Sequence, residues 1–154
     1  MAHTHLFEIG YKAGVTDPVG QGLKQDIVGL GLAKVKHVAS AQLYKVAGTL
    51  SAEDRTRIVK DLLCDPILNE PMEKTAAEKT KSMVIDVWYK VGVTDVVGDS
   101  VQKGIEDLDI HGVKSVRTGM RYHLLGVTKK ETAEKIALAL LVNPLVHDLT
   151  IYAD

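Results

Sequence analysis

Tyr11-Lys12-Ala13-Gly14-Val15-Thr16-Asp17-Pro18-Val19-Gly20 returns 78 residues later as Tyr89-Lys90-Val91-Gly92-Val93-Thr94-Asp95-Val96-Val97-Gly98. Outward from this stretch the register holds without a gap, through Ile27/Ile105, Val38/Val116, Tyr44/Tyr122, Glu53/Glu131, Ile58/Ile136 and Pro66/Pro144. A match kept that long implies two copies of one fold, and it is too long and too seldom repeated for a solenoid. The 154 residues would otherwise count as one domain. They divide instead into residues 6–71, a polar, lysine-rich linker at 72–82, and residues 83–153. Units of roughly 70 residues bury only a modest core. The halves are therefore expected to pack on each other or on further copies.

One copy can be read element by element. Met83-Val84-Ile85-Asp86-Val87-Trp88-Tyr89-Lys90 has the β-branched and aromatic content of a strand, and Leu6 to Lys12 is its weaker counterpart. Asp17 is placed to cap a helix that Pro18 opens, because proline's missing N–H costs nothing in the first turn. Val19, Leu23, Ile27 and Leu30 then share one helical face, repeated as Val97, Val101, Ile105 and Leu108 behind Asp95. Loss of such a cap is predicted to cost about 1 kcal/mol.

Val35 to Ala47 reads as a long strand or loose hairpin, with Gly119 marking a bulge or bend in the second copy. Ser51 opens a second helix with Asp54 three residues on. Thr128 and Glu131 read as the better capping box of the pair. Pro66 and Pro144 end these helices. Leu145 to Tyr152 forms a closing strand, whereas Asn69 to Glu73 makes a poor one. Each unit is thus β-α-β-(β)-α-β, an α+β fold with two helices on one face of an antiparallel sheet.

Composition narrows the function. Nineteen Lys+Arg against twenty Asp+Glu leave no basic footprint for nucleic acid. The longest apolar run, Ile136 to Val142, is far short of the ~20 residues of a membrane span. The start Met1-Ala2-His3-Thr4-His5 lacks a signal sequence, so a cytoplasmic protein is expected. Cys64 is the only cysteine and corresponds to Val142, which reads as a small packed residue and not a nucleophile. No phosphate loop or dinucleotide fingerprint is present. His3 and His5 fall short of the three or four ligands of a zinc site, so no metal and no cofactor are expected. Lys12 and Lys90 close the first strand of each copy beside the Gly-Val-Thr-Asp turn. Arg117 and Arg121 correspond in the repeat to Ala39 and Leu43, so any charge chemistry there belongs to one half.

The order of these motifs resembles the PurS family, the small subunit of phosphoribosylformylglycinamidine (FGAM) synthase. Lys12-Ala13-Gly14-Val15-Thr16-Asp17-Pro18-Val19-Gly20 is similar to the family's opening, and Leu30-Gly31 to its helix end. Val113-Lys114-Ser115-Val116-Arg117-Thr118-Gly119 is similar to its middle, and Leu140-Leu141-Val142-Asn143-Pro144 to its close. Each repeat is about as long as a whole PurS chain.

The resemblance implies a ferredoxin-like α+β unit with no active site of its own. It implies a self-associating subunit of an ATP-dependent amidotransferase, holding a PurQ-like glutaminase against a PurL-like synthetase in purine biosynthesis. A tandem chain then resembles a dimer joined end to end. Of the family's Arg-x-Gly-Lys the second half keeps Arg117 and Gly119, with Met120 at the Lys position and Arg121 after it. The first half has Ala39, Ala41 and Gln42, and Asp65 stands where the second half has Asn143. Partner contacts are accordingly assigned to Lys12, Lys90, Arg117, Gly119, Arg121 and Asn143, and helix caps to Asp17, Asp95, Thr128 and Glu131. Two alternatives stay open: a regulatory module with a metabolite between its halves, and an interaction protein with another partner.

Overall fold

Why these segments take the shapes they do is visible in a computed structural model that describes residues 3–72 and 82–153. The first half runs β1 (His3–Tyr11), α1 (Pro18–Gly29), β2 (His37–Gly48), α2 (Ala52–Ile58) and β3 (Asn69–Pro71). The second runs β4 (Ser82–Tyr89), α3 (Val96–Asp107), β5 (Val113–Leu125), α4 (Lys130–Ile136) and β6 (His147–Ala153). A π-helical turn prolongs both second helices, at Val59–Leu63 and Ala137–Leu141. The linker reading falls mostly outside the described residues, although Met72 still donates its N–H to the Glu8 carbonyl at 2.8 Å.

The six strands form one antiparallel sheet in the order β3-β1-β2-β5-β4-β6. The halves join through β2 and β5, which pair from His37↔Leu125 to Gly48↔Val113. Gln42 lies opposite Met120, its own equivalent 78 residues on. A pseudo-twofold axis therefore passes between these two residues. The hairpin alternative within Val35 to Ala47 does not form; β2 is one continuous strand.

Of the bulge or bend expected at Gly119, the bulge does not form there, since the β2–β5 register shifts only between Ala47 and Gly48. Gly119 is small for another reason. A Cβ there would lie 2.6 Å from the Val87 carbonyl oxygen and 2.8 Å from the Trp88 ring.

Strand alternation sends Val38 and Val46 of β2, Val116, Tyr122 and Leu124 of β5, Met83, Ile85 and Val87 of β4 and Ile9 of β1 to one face. All four helices cover that face, and each helps bury a core that draws on both halves. Leu23 and Ile27 of α1 pack with Ala133 and Ile136 of α4. Ile58 of α2 packs with Ile105 of α3. Leu62 comes so close to α3 that a Cβ on Gly104 would sit 2.7 Å from it. Arg57 donates across the halves to the Leu108 carbonyl at the end of α3, at 2.7 Å. On the opposite face Lys45 of β2 lies 4.4 Å over the Trp88 ring of β4.

The helix starts differ between copies. Ser51 and Asp54 complete a reciprocal capping box on α2. The box expected from Thr128 and Glu131 does not form. The 78-residue register places Lys129, not Thr128, at the position of Ser51, and α4 begins with Lys129 as an N-cap that has no side-chain hydrogen bond. Thr128 stands one residue too early to reach the N–H of the third helical residue.

Candidate partner-docking site

Asp17 and Asp95 organise the same corner of each half. The Asp95 carboxylate accepts the Gly98 N–H at 2.8 Å, which caps α3. It also accepts the Thr118 N–H at 2.6 Å and the Thr118 hydroxyl at 2.8 Å on β5. Asp17 does likewise with Gly20 on α1 and with the N–H and hydroxyl of Ser40 on β2, at 2.8, 2.6 and 2.7 Å. One carboxylate thus holds a helix start to mid-strand backbone. The close approach explains the glycines three residues on: a Cβ on Gly20 would lie 2.3 Å from the Val38 carbonyl oxygen, and one on Gly98 2.5 Å from that of Val116.

Three of the sequence-chosen residues meet at the end of β4. Arg117 donates to the backbone carbonyls of Tyr89, Lys90 and Val93 at 3.1, 2.6 and 3.3 Å, fixing the loop into α3. The Lys90 N–H bonds the Val146 carbonyl at 2.9 Å, and the Tyr89 and His147 rings lie 5.2 Å apart. That ties the loop to the turn before β6. Asn143 builds this turn, accepting the Leu145 N–H at 3.1 Å while its own N–H donates to His147 Nδ1 at 3.0 Å.

The result is a hydrogen-bonded corner carrying Val91, 96% exposed, and Leu145, 84% exposed. In the first half Asp65 makes the matching turn, accepting the N–H groups of Ile67 and Leu68. Lys12 there spends its ammonium on the Pro66 carbonyl at 2.5 Å. Ile67, the equivalent of Leu145, is 77% exposed, but Ala13 replaces Val91 and no arginine secures the loop.

Gly119 and Arg121 lie apart from this corner. Gly119 is buried under Trp88. The Arg121 side chain, 12% exposed, donates Nε and one terminal nitrogen to the two Asp86 oxygens at 2.8 and 2.9 Å. Its other terminal nitrogen donates to Glu8. Tyr152 donates to Asp86 at 3.2 Å, and His123 lies 3.9 Å from Glu8. Burial by itself would raise the Glu8 pKa, but contacts to His123 and Arg121 outweigh it and hold the carboxyl below its usual range. For Tyr152, burial and then the Asp86 charge push the phenol upward.

Sequence reasoning passed over Glu8, Asp86 and Tyr152. The available signal was an acid at equivalent positions, 78 residues apart, inside two apolar strands. Cys64 has its thiol pKa raised, chiefly by burial, which disfavours the reactive thiolate.

Other features are limited. A groove of about 710 Å³ runs between β1 and α2, lined by His5, Phe7, Arg55, Val59 and Lys60 among others. Among the described residues no group of three or more His, Cys, Asp or Glu side chains is placed to hold a metal. No described helix is long and apolar enough to cross a membrane.

Fold and site together define a pairing module: twin α+β units that share one sheet and present one stiffened, apolar corner. Both units match the family described as PurS: Phosphoribosylformylglycinamidine (FGAM) synthase, over residues 6–81 and 82–154. The chain belongs to that family, as a tandem duplication. No curated protein matches it.

Proposed function

We propose that the chain is a non-catalytic accessory subunit of glutamine-dependent FGAM synthase, bridging the glutaminase and ATP-dependent synthetase subunits in purine biosynthesis. The double family match along nearly the whole chain carries this reading. The second-half corner is its contact surface. Val91 and Leu145 offer exposed apolar anchors, and Lys90, Arg117 and Asn143 hold the two loops that carry them. An interface centre of this kind needs apolar side chains on a backbone that does not have to be ordered on binding.

The test is co-purification of the chain with its organism's synthetase and glutaminase, in glutamine and ADP. The reading expects a complex containing all three. It expects Leu145→Glu to weaken that complex about tenfold, the loss of one anchor residue, and Ile67→Glu to leave it within about twofold. Absence of a complex would end the reading. Equal losses from both variants would move the contact away from the second half.

A further inference from the structure

Glu8 and Asp86 are each other's equivalents across the pseudo-twofold axis, yet a single arginine bonds both. The equivalent of Arg121 is Leu43, which is fully buried. The asymmetry extends to the route between them. Arg121 lies opposite Ala41, whose methyl group leaves the guanidinium room to cross β2 and reach Glu8, which itself lies opposite Leu43. The matching route, across Gly119, is filled by the ring of Trp88, the equivalent of Gly10. The side chains of Arg121, Glu8 and Asp86 are 12%, 13% and 8% exposed, so their charges are poorly screened by water.

Three pairings of halves are then unequal. First half with second half places two carboxylates on one bidentate arginine. Second with second gives each Asp86 its own Arg121. First with first buries two Glu8 carboxylates beside two Leu43 side chains, with no arginine at that register. Lys45, the equivalent of His123, is then the nearest cation at the register of Glu8, but the guanidinium bond is gone, and losing one partner of a buried ion pair is strongly destabilising.

We propose that Arg121 is the pairing determinant of this chain: the first half is a docking surface for a half that brings an arginine to this register, and it rejects another first half. An arginine present in one copy and absent from the other thus turns a self-pairing unit into an obligate, directional pair. The buried polar group acts as a registry device, as a single asparagine does in a coiled coil.

Two experiments on the full-length chain test this. Arg121→Met leaves Glu8 only His123 and Asp86 only the Tyr152 hydroxyl, and lowers the thermal midpoint by about 10 °C. Adding Glu8→Gln and Asp86→Asn to that variant restores more than half of the loss. A triple variant no more stable than Arg121→Met shows that the carboxylates are not what Arg121 serves, and overturns the proposal.

The second experiment reads pairing itself. Gln42 faces its partner strand on the axis, so in a Cys64→Ser, Gln42→Cys chain a disulfide dimer forms only when two first halves meet. Chains are refolded at about millimolar concentration, comparable to the effective concentration of a tethered neighbour, and then oxidised. Adding Glu8→Gln removes the charge that forbids this pairing and keeps the Asp86–Arg121 pair. It is expected to raise the dimer yield at least fivefold. Equal yields, including none from either chain, overturn the proposal.

Discussion

Asp95 shows how far one side chain's role can exceed its sequence signature. As a cap it satisfies a single helix N–H, and the motif alone assigns about 1 kcal/mol to it. In the structure the same carboxylate also holds the N–H and hydroxyl of Thr118. With both residues buried, removing it strands a donor that water cannot reach. We expect Asp95→Ala to cost about 3 kcal/mol in urea unfolding, from the cap plus one unpaired buried donor. A cost near 1 kcal/mol would mean that Thr118 finds other partners. The spacing of Asp, Pro and Gly made the cap legible. The grip on β5 was not legible, because it joins residues 23 apart whose meeting depends on tertiary packing.

Glu8 gives a second test at this scale. Its neighbours are Arg121 and His123 on β5, and through Arg121 it is coupled to Asp86 on β4 and Tyr152 on β6. Its folded carboxyl titrates below its ordinary value of 4.5. Such a group contributes stability that is fully present above that value and disappears as pH falls through the folded pKa. Urea midpoints measured from pH 7 to pH 3 should therefore fall below about pH 4.5, and fall less in Glu8→Gln. Parallel pH profiles for the two chains would refute the assignment.

The helices separate glycines that are needed from glycines that are tolerated. Gly20 and Gly98 sit where a Cβ would run into β-strand carbonyl oxygens. Gly22 and Gly29, in the same helix as Gly20, face open space, with nothing within 4 Å of a Cβ. Gly98→Ala should destabilise by about 2 kcal/mol through overpacking. Gly22→Ala should stabilise by about 0.5–1 kcal/mol through helix propensity. Thermal melts of the two variants shifting in the same direction would contradict the packing.

Recurrence of Gly20 as Gly98 hinted at this distinction, since Gly22 and Gly29 do not recur. The π-helical turns at Val59–Leu63 and Ala137–Leu141 left no such hint. An apolar face at three- and four-residue spacing looks the same whether the backbone bonds step by four or by five. The capping box misplaced at Thr128 and Glu131 is the opposite case. There a local pattern was preferred over the 78-residue register, and the register was right, because Ser51 aligns with Lys129.

For the whole molecule, the repeat made the strand and helix order readable and hid how the copies combine. Two similar segments suggest two domains. Here the apolar faces of α1 and α4, and of α2 and α3, share cores that span both halves. The reason is size: a half of roughly 70 residues cannot enclose its own helix face and uses its twin to do so. The β2–β5 pairing that fuses the sheets rests mainly on main-chain groups and a register, neither of which residue types announce, with the Gln42 side chain donating across it to the Gly119 carbonyl at 2.8 Å. The polar linker drew the eye as a boundary, while the structural seam lies along the middle of the sheet.

The central claim is that the duplicated halves form one cooperative pair. Native-state hydrogen exchange tests it most directly, because it reports opening free energies strand by strand. The account predicts that the slowest amides of β1 and β2 and those of β4 and β5 exchange with a single free energy, equal to that of global unfolding. Two well-separated values, one for each half, would contradict it.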